Sequence, residues 1–337
     1  MWSSHAVYHP RIGFTTMPSG QWRVAAERGG YLVRSNAAGF RSNFEFVPER
    51  TPGKFRAILF GDSQTAGDGV PNEKRYSDVV TRLVDQWEVY NYGLSATGPD
   101  QQYLTYLDVA KVEHDLVVIG LYVGNIVRVA HRFHVFLTAE GQHVVYAKPY
   151  YTLAHGRLML HHVPVPRALR PLDSVPAEEL RHLWRPTPRF ARLRKIAKAV
   201  GLRTAAYKIA KRRPLPQYDS PDDPHWQLLR AILQSWIAGS QTPVLLFLLP
   251  TWEYVEGNCD PTNYQTRFAE LARDTGCLLH DPLREFLASS VETRRGYRLP
   301  NDPHFSPDGH QALATSLASA LRRIISGMDR TKADAVR

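Results

Sequence analysis

Two cysteines, four methionines and no run of about 18 apolar residues describe what this 337-residue chain lacks. Cys259 and Cys277 alone can build neither a disulfide framework nor a four-thiolate metal site, so two idle thiols in a reducing compartment are expected. The longest apolar stretch, residues 244–249, suits a buried strand and falls far short of a membrane span. The first residues show neither an apolar core nor a small-residue cleavage site, so no secretory signal is visible and a cytoplasmic location is the expectation. No Gly-x-Gly-x-x-Gly and no Gly-Lys-Ser/Thr occurs, which argues against nucleotide binding. His155, His161 and His162 match no familiar zinc spacing, and neither a metal nor a cofactor is expected.

Acidic residues are missing from one stretch in particular. The chain carries 42 Lys and Arg against 32 Asp and Glu, and residues 189–213 hold ten basic side chains with no acidic one. The remainder is therefore balanced at 32 against 32. Phe190, Leu193, Ile196, Val200 and Tyr207 fall near helical spacing, which predicts one or two basic amphipathic helices interrupted at Gly201. Such a face is often only solvated surface. As a binding surface it would attract an acidic partner or an anionic membrane, giving peripheral membrane association. Nucleic acid ranks below both, because no recognised motif accompanies the charge.

What is present is an interrupted α/β rhythm. Residues 1–50 read as an N-terminal extension with short β-like pieces at 31–34 and 44–47. Compact apolar runs at 55–60, 116–122 and 243–249 read as buried parallel strands, with shorter strands at 89–91 and 277–280. Helices are expected over about 73–86, 99–113, 225–238, 264–275 and 307–326, the fourth stopped by Gly276. The alternation breaks between the second and third of these helices. Residues 126–240 read as an insertion, a lid or specificity element, carrying a hairpin around Glu140-Gly141 and the basic segment. Strand–helix alternation with apolar strands argues for a doubly wound domain over 51–330, interrupted by that insertion.

Chemistry-bearing residues gather at the ends of these strands. Ser63, in Gly61-Asp62-Ser63-Gln64-Thr65, follows the first strand, where open parallel sheets place their ligands. A helix opening there would aim backbone N–H groups at a developing negative charge. Serine needs a positioned base, usually a histidine held by a carboxylate. Asp302-Pro303-His304, in a loop before the final helix, supplies both. His310 is a rival base and Asp281 a rival acid. Gly93 and Asn125 end two further strands and offer a backbone N–H and a side-chain amide.

In this order Ser63, Gly93, Asn125 and His304 resemble the four blocks of the SGNH (GDSL-type) hydrolase superfamily, here GDSQT, NYGLSATG, GLYVGNI and DPHFSPDGH. The resemblance covers residues 55–125 and 240–326, with a looser likeness at Asn36-Ala-Ala-Gly39-Phe40-Arg41. It departs from the usual Asp-x-x-His, since Asn301 stands three before His304, and Ile126 follows Asn125 where many members have Asp. The resemblance implies a flavodoxin-like three-layer α/β/α sandwich with a parallel sheet. It also implies a serine esterase: Ser63 as nucleophile, His304 as base then acid, Asp302 as its carboxylate, and an oxyanion hole from Ser63, Gly93 and Asn125. The expected substrate is a small-molecule or glycan ester of a short, acetyl-like acyl group. Acyl transfer by the same residues is the alternative within chemistry, and non-catalytic binding to an anionic surface the alternative outside it.

Overall fold

Strands that are apolar at every position, without alternation, must be covered on both faces. In the computed structural model, which describes residues 5–25, 30–137, 142–180 and 214–335, two such segments and three that also carry Arg56, Glu88 with Asn91, and His280 pair into one parallel sheet. They are β1 (Phe55–Gly61), β2 (Trp87–Asn91), β3 (Leu116–Tyr122), β4 (Val244–Leu249) and β5 (Leu278–His280). Their order is β2-β1-β3-β4-β5, all parallel. This is the flavodoxin-like order, in which the topological switch lies between β1 and β3.

Successive side chains of one strand divide between two cores. Ala57 and Leu59 of β1 pack with α2 (Tyr76–Leu83) and the long final helix Pro307–Ala335. Ile58 and Phe60 pack on the other face with α3 (Pro99–Asp108), α4 (Pro224–Gly239) and α5 (Thr262–Thr275). Gly276 ends α5 in the left-handed conformation, as its sequence position predicts. The outcome is a three-layer α/β/α sandwich.

The structure corrects two readings. Residues 44–47 form no strand; Phe44 and Phe46 instead lie on Tyr90, with Phe46 stacked at 4.5 Å between ring centroids, so aromatic packing fastens this part of the extension. The range 126–240 is not all insertion, because α4 buries Trp226, Leu229, Ile232, Leu233 and Trp236 against the central sheet. It is the crossover from β3 to β4.

What remains of the insertion carries its own small β layer. The expected hairpin pairs Phe133–Leu137 with His143–Ala147, and Leu169–Pro171 adds a third strand. A second hairpin, Tyr150–Ala154 with Arg157–His161, follows. Lys148, between the two hairpins, is wholly buried and ion-paired with the equally buried Asp100 in the first turn of α3. The basic segment 189–213, with its predicted helices, lies outside the described residues. Among the described residues no helix is long and apolar enough to cross a membrane, and no disulfide joins Cys259 to Cys277.

Candidate active site

The carboxyl end of β1 is shaped by two glycines. Gly61 pairs with Gly120 of β3, and a Cβ on Gly61 would lie 2.1 Å from Thr65 Oγ1, one on Gly120 2.6 Å from the same atom. Their bare backbones let the short helix α1 (Ser63–Ala66) sit directly on the sheet edge. Asp62 caps it, accepting the Gln64 N–H at 2.9 Å, and Gly67 ends it in the left-handed conformation. Ser63 is the first residue of this helix, with its N–H among the orphan donors that helical bonding leaves unused.

Asp62 is buried, which raises its pKa, opposed by the charge of Arg128 and by the hydrogen bonds from Gln64 N–H and the Asn125 amide. Asn125 thus reaches the Ser63 turn from the end of β3. One amide hydrogen goes to Asp62, and the amide has a second to give.

The N-terminal extension helps to fix this edge. Arg41 is buried and donates to Gly67 O and Val70 O, both at 2.8 Å, and to Asn72 Oδ1. Burial lowers its pKa to about 10, with Arg75 adding to the effect and Asp68 opposing it. Tyr31 Oη accepts the Gly69 N–H at 2.8 Å. The chain just beyond α1 is therefore held from outside the sheet.

His304 and Asp302 are brought together. Asp302 Oδ1 accepts the His304 backbone N–H at 2.9 Å and bonds the ring Nδ1. That orients the imidazole and leaves Nε2 for another partner. Burial pulls the His304 pKa down, but the Asp302 hydrogen bond and the carboxylates of Asp68, Asp302 and Asp62 outweigh it, and the net shift is upward. The Asp302 pKa is lowered, chiefly by its bond to His304.

A residue with no motif to announce it joins the two halves. Gln64 donates to Pro303 O at 3.2 Å and accepts the Phe305 N–H at 3.3 Å, gripping the backbone on both sides of His304. Trp252 Nε1 also donates to Pro303 O, at 2.7 Å. Ser63 and His304, each one residue from a bond of this clamp, lie on segments held face to face.

The rivals are occupied elsewhere. His310 is buried, accepts the Tyr76 N–H at 3.3 Å, and is held neutral by burial and by Arg41 and Arg75, with its pKa pushed down to about 3. Asp281 accepts from Tyr264 Oη and Gln265 Nε2, both at 2.8 Å, and from Leu283 N. Its bonds brace α5 against the helix that follows β5. His161 bonds Thr152 and His162 bonds Lys148 O. Among the described residues no cluster of His, Cys, Asp and Glu is arranged to hold a metal.

Gly93 departs from its expected role. Its N–H is donated to Asn91 Oδ1 at 2.8 Å, and a Cβ there would stand 2.7 Å from Ala66 N. Close packing of the β2 loop on α1 explains the glycine. Three residues on, Ala96 adopts φ +64°, a conformation uncommon outside glycine, and its N–H has no acceptor among the described residues.

No family model and no curated protein matches the chain. Among solved structures it is similar to a member of the lipolytic G-D-S-L family from Veillonella parvula, at 11% identity over 80% of this chain and 99% of that one, TM-score 0.41. It is similar also to the lipase/acylhydrolase from Enterococcus faecalis, at 13% identity over 79% and 95%, TM-score 0.39. A third is an acetyl xylan esterase from Geobacillus stearothermophilus, at 15% identity over 79% and 94%, TM-score 0.38. The chain itself has a flavodoxin-like three-layer α/β/α fold with a parallel 2-1-3-4-5 sheet, and Ser63, Asn125 and His304 stand in segments at one edge of it.

Proposed function

We propose that the protein is a serine esterase acting on a short-chain acyl ester through Ser63, His304 and Asp302. One observation carries the reading: an Asp302-oriented His304 is clamped by Gln64 onto the helix that begins with Ser63. Ser63 Oγ attacks the ester carbonyl while His304 Nε2 takes its proton. The carbonyl electron pair moves onto oxygen, where the Ser63 N–H and the second amide hydrogen of Asn125 stabilise it. The Ala96 N–H is the third donor of this reading, in place of Gly93, because it is unspent and its loop lies against α1. Collapse expels the alcohol, which takes the proton from His304, and leaves an acyl group on Ser63. Water, deprotonated by His304, then releases the acid and restores the serine.

The raised His304 pKa suits this cycle, since the imidazolium must be stable enough to form and then be spent. The test is hydrolysis of p-nitrophenyl acetate, butyrate and octanoate by wild type and Ser63→Ala, with a fluorophosphonate probe for the serine. Turnover and labelling that both vanish in Ser63→Ala, with acetate the best substrate, are expected. Turnover that survives the substitution would refute the nucleophile. Labelling without turnover would turn the same residues toward acyl transfer.

A further inference from the structure

α4 joins β3 to β4 and so runs antiparallel to the strands, which puts its first turn at the same sheet edge as Ser63. A cavity of about 290 Å³ opens there, between that turn and the second hairpin of the insertion. Arg132, Tyr150 and Thr152 line one wall, and His225 and Gln227 the other. None of the residues lining it is acidic. The nearby Asp223 is spent on α4, accepting from His225 N at 2.8 Å and Trp226 N at 3.3 Å, and on the His225 ring.

Arg132 is the odd member of this wall. Its guanidinium lies over the Tyr150 ring at 5.0 Å, and no carboxylate pairs with it among the described residues. Tyr150 is itself stacked on His161, so the arginine rests on a fixed platform. A stacked guanidinium keeps its N–H edge free, and that edge matches the two oxygens of a carboxylate or phosphate. Low-dielectric walls of one sign concentrate the field on such a group.

The helical segment Val123–Ala130 links this cavity to the site, with Asn125 near one end and Ala130 on the cavity wall. At roughly 2 Å rise per residue in a 3₁₀ helix, the two lie about 10 Å apart. We propose that the cavity is an anion subsite in which Arg132 binds a carboxylate or phosphate carried by the ester substrate at a distance from its scissile bond. The inference rests on the esterase reading for its place in a reaction, but not for the binding itself.

Calorimetric titration of the full chain with tri-galacturonate, galactotriose as its neutral counterpart, and inorganic pyrophosphate separates these points, because none of the three is an ester that Ser63 could cleave. Binding of tri-galacturonate but not of its neutral counterpart assigns a carboxylate, and binding of pyrophosphate alone a phosphate. Either affinity should fall about tenfold or more in Arg132→Gln, the loss expected for charge-assisted hydrogen bonds, and recover in part in Arg132→Lys. An unchanged unfolding midpoint keeps Arg132→Gln interpretable, and Arg132→Met, which retains contact with Tyr150, repeats the measurement if it shifts. Binding of no anion at millimolar concentration, or equal binding by wild type and Arg132→Gln, overturns the proposal. If anions bind and no ester is cleaved, the subsite stands and the esterase reading falls.

Discussion

The Asp302–His304 contact makes a demanding prediction, because the chain contains the same contact twice. Asp223-Pro224-His225 repeats Asp302-Pro303-His304, with the aspartate Oδ1 bonded to the histidine N–H at 2.8 Å and to the ring Nδ1 at 3.3 Å. A carboxylate serving only as a local cap could be removed from either turn at a cost of about 1 kcal/mol in stability. At Asp302 more is at stake. Asp302→Ala should free the imidazole to rotate, remove the largest influence raising its pKa, and lower kcat/KM about 10²–10³-fold. The loss should stay below the ~10⁴ seen for a fully buried triad carboxylate, because the Asp302 side chain is 51% exposed and water can partly replace it. Asp302→Asn keeps the shape but loses the charge, and its amide can favour the wrong tautomer, so it should lose about as much as Asp302→Ala.

The pH profile gives a second readout. His304 must be neutral to accept the serine proton, so kcat/KM should rise through a midpoint above 6.5 in wild type. That midpoint should move down in Asp302→Ala. Asp223→Ala should change neither rate nor midpoint with p-nitrophenyl acetate. An Asp302→Ala enzyme that keeps a third of its activity with an unmoved midpoint would show that Asp302 is only a cap, as Asp223 is.

Gln64→Ala removes both bonds of the clamp on the His304 loop and should lower kcat about 10–100-fold at a stability cost of about 1–3 kcal/mol, measured by turnover and thermal unfolding. Asn125→Ala should cost about 10²–10³ in kcat with little change in KM, as for a donor used mainly in the transition state; a KM effect alone would move Asn125 to ground-state binding. Lys148→Met strands the buried Asp100 carboxylate and should destabilise the fold by about 3–5 kcal/mol in denaturant unfolding, while Asp100→Leu with Lys148→Met should recover most of that loss. A single-variant loss under about 1 kcal/mol would mean that water reaches the pair.

How much of this was readable beforehand depends on the range of the force involved. Strands β1, β3 and β4 announce themselves because burial on both faces demands unbroken apolar runs. The Ser63 turn is legible because Gly61, the cap Asp62 and Ser63 are consecutive. Gln64 is not, since its partners stand 239 and 241 residues away and a glutamine after serine has no pattern to mark it. Lys148 and Asp100 are hidden for the same reason, as each alone reads as surface charge. Gly93 misled by chemistry: a glycine that offers an N–H and one that makes room for a neighbouring helix look identical until the Asn91 bond and the Ala66 contact are seen. Helix α4 was read as a helix yet assigned to the insertion, because nothing local says which surface its Trp226 and Trp236 will meet.

The repeated Asp-Pro-His tripeptide separates local from tertiary causes most sharply. Proline fixes its own φ and pushes the aspartate before it into an extended conformation, so the carboxylate reaches the N–H two residues on and the ring beyond it. The contact is therefore written into three residues and forms at both places. At Asp223 it caps α4, whose opening turns bury Trp226 and Leu228. At Asp302 the same turn meets Gln64 and Trp252, and three carboxylates bias its histidine toward holding a proton. An aspartate–histidine bond is thus no evidence of catalysis by itself.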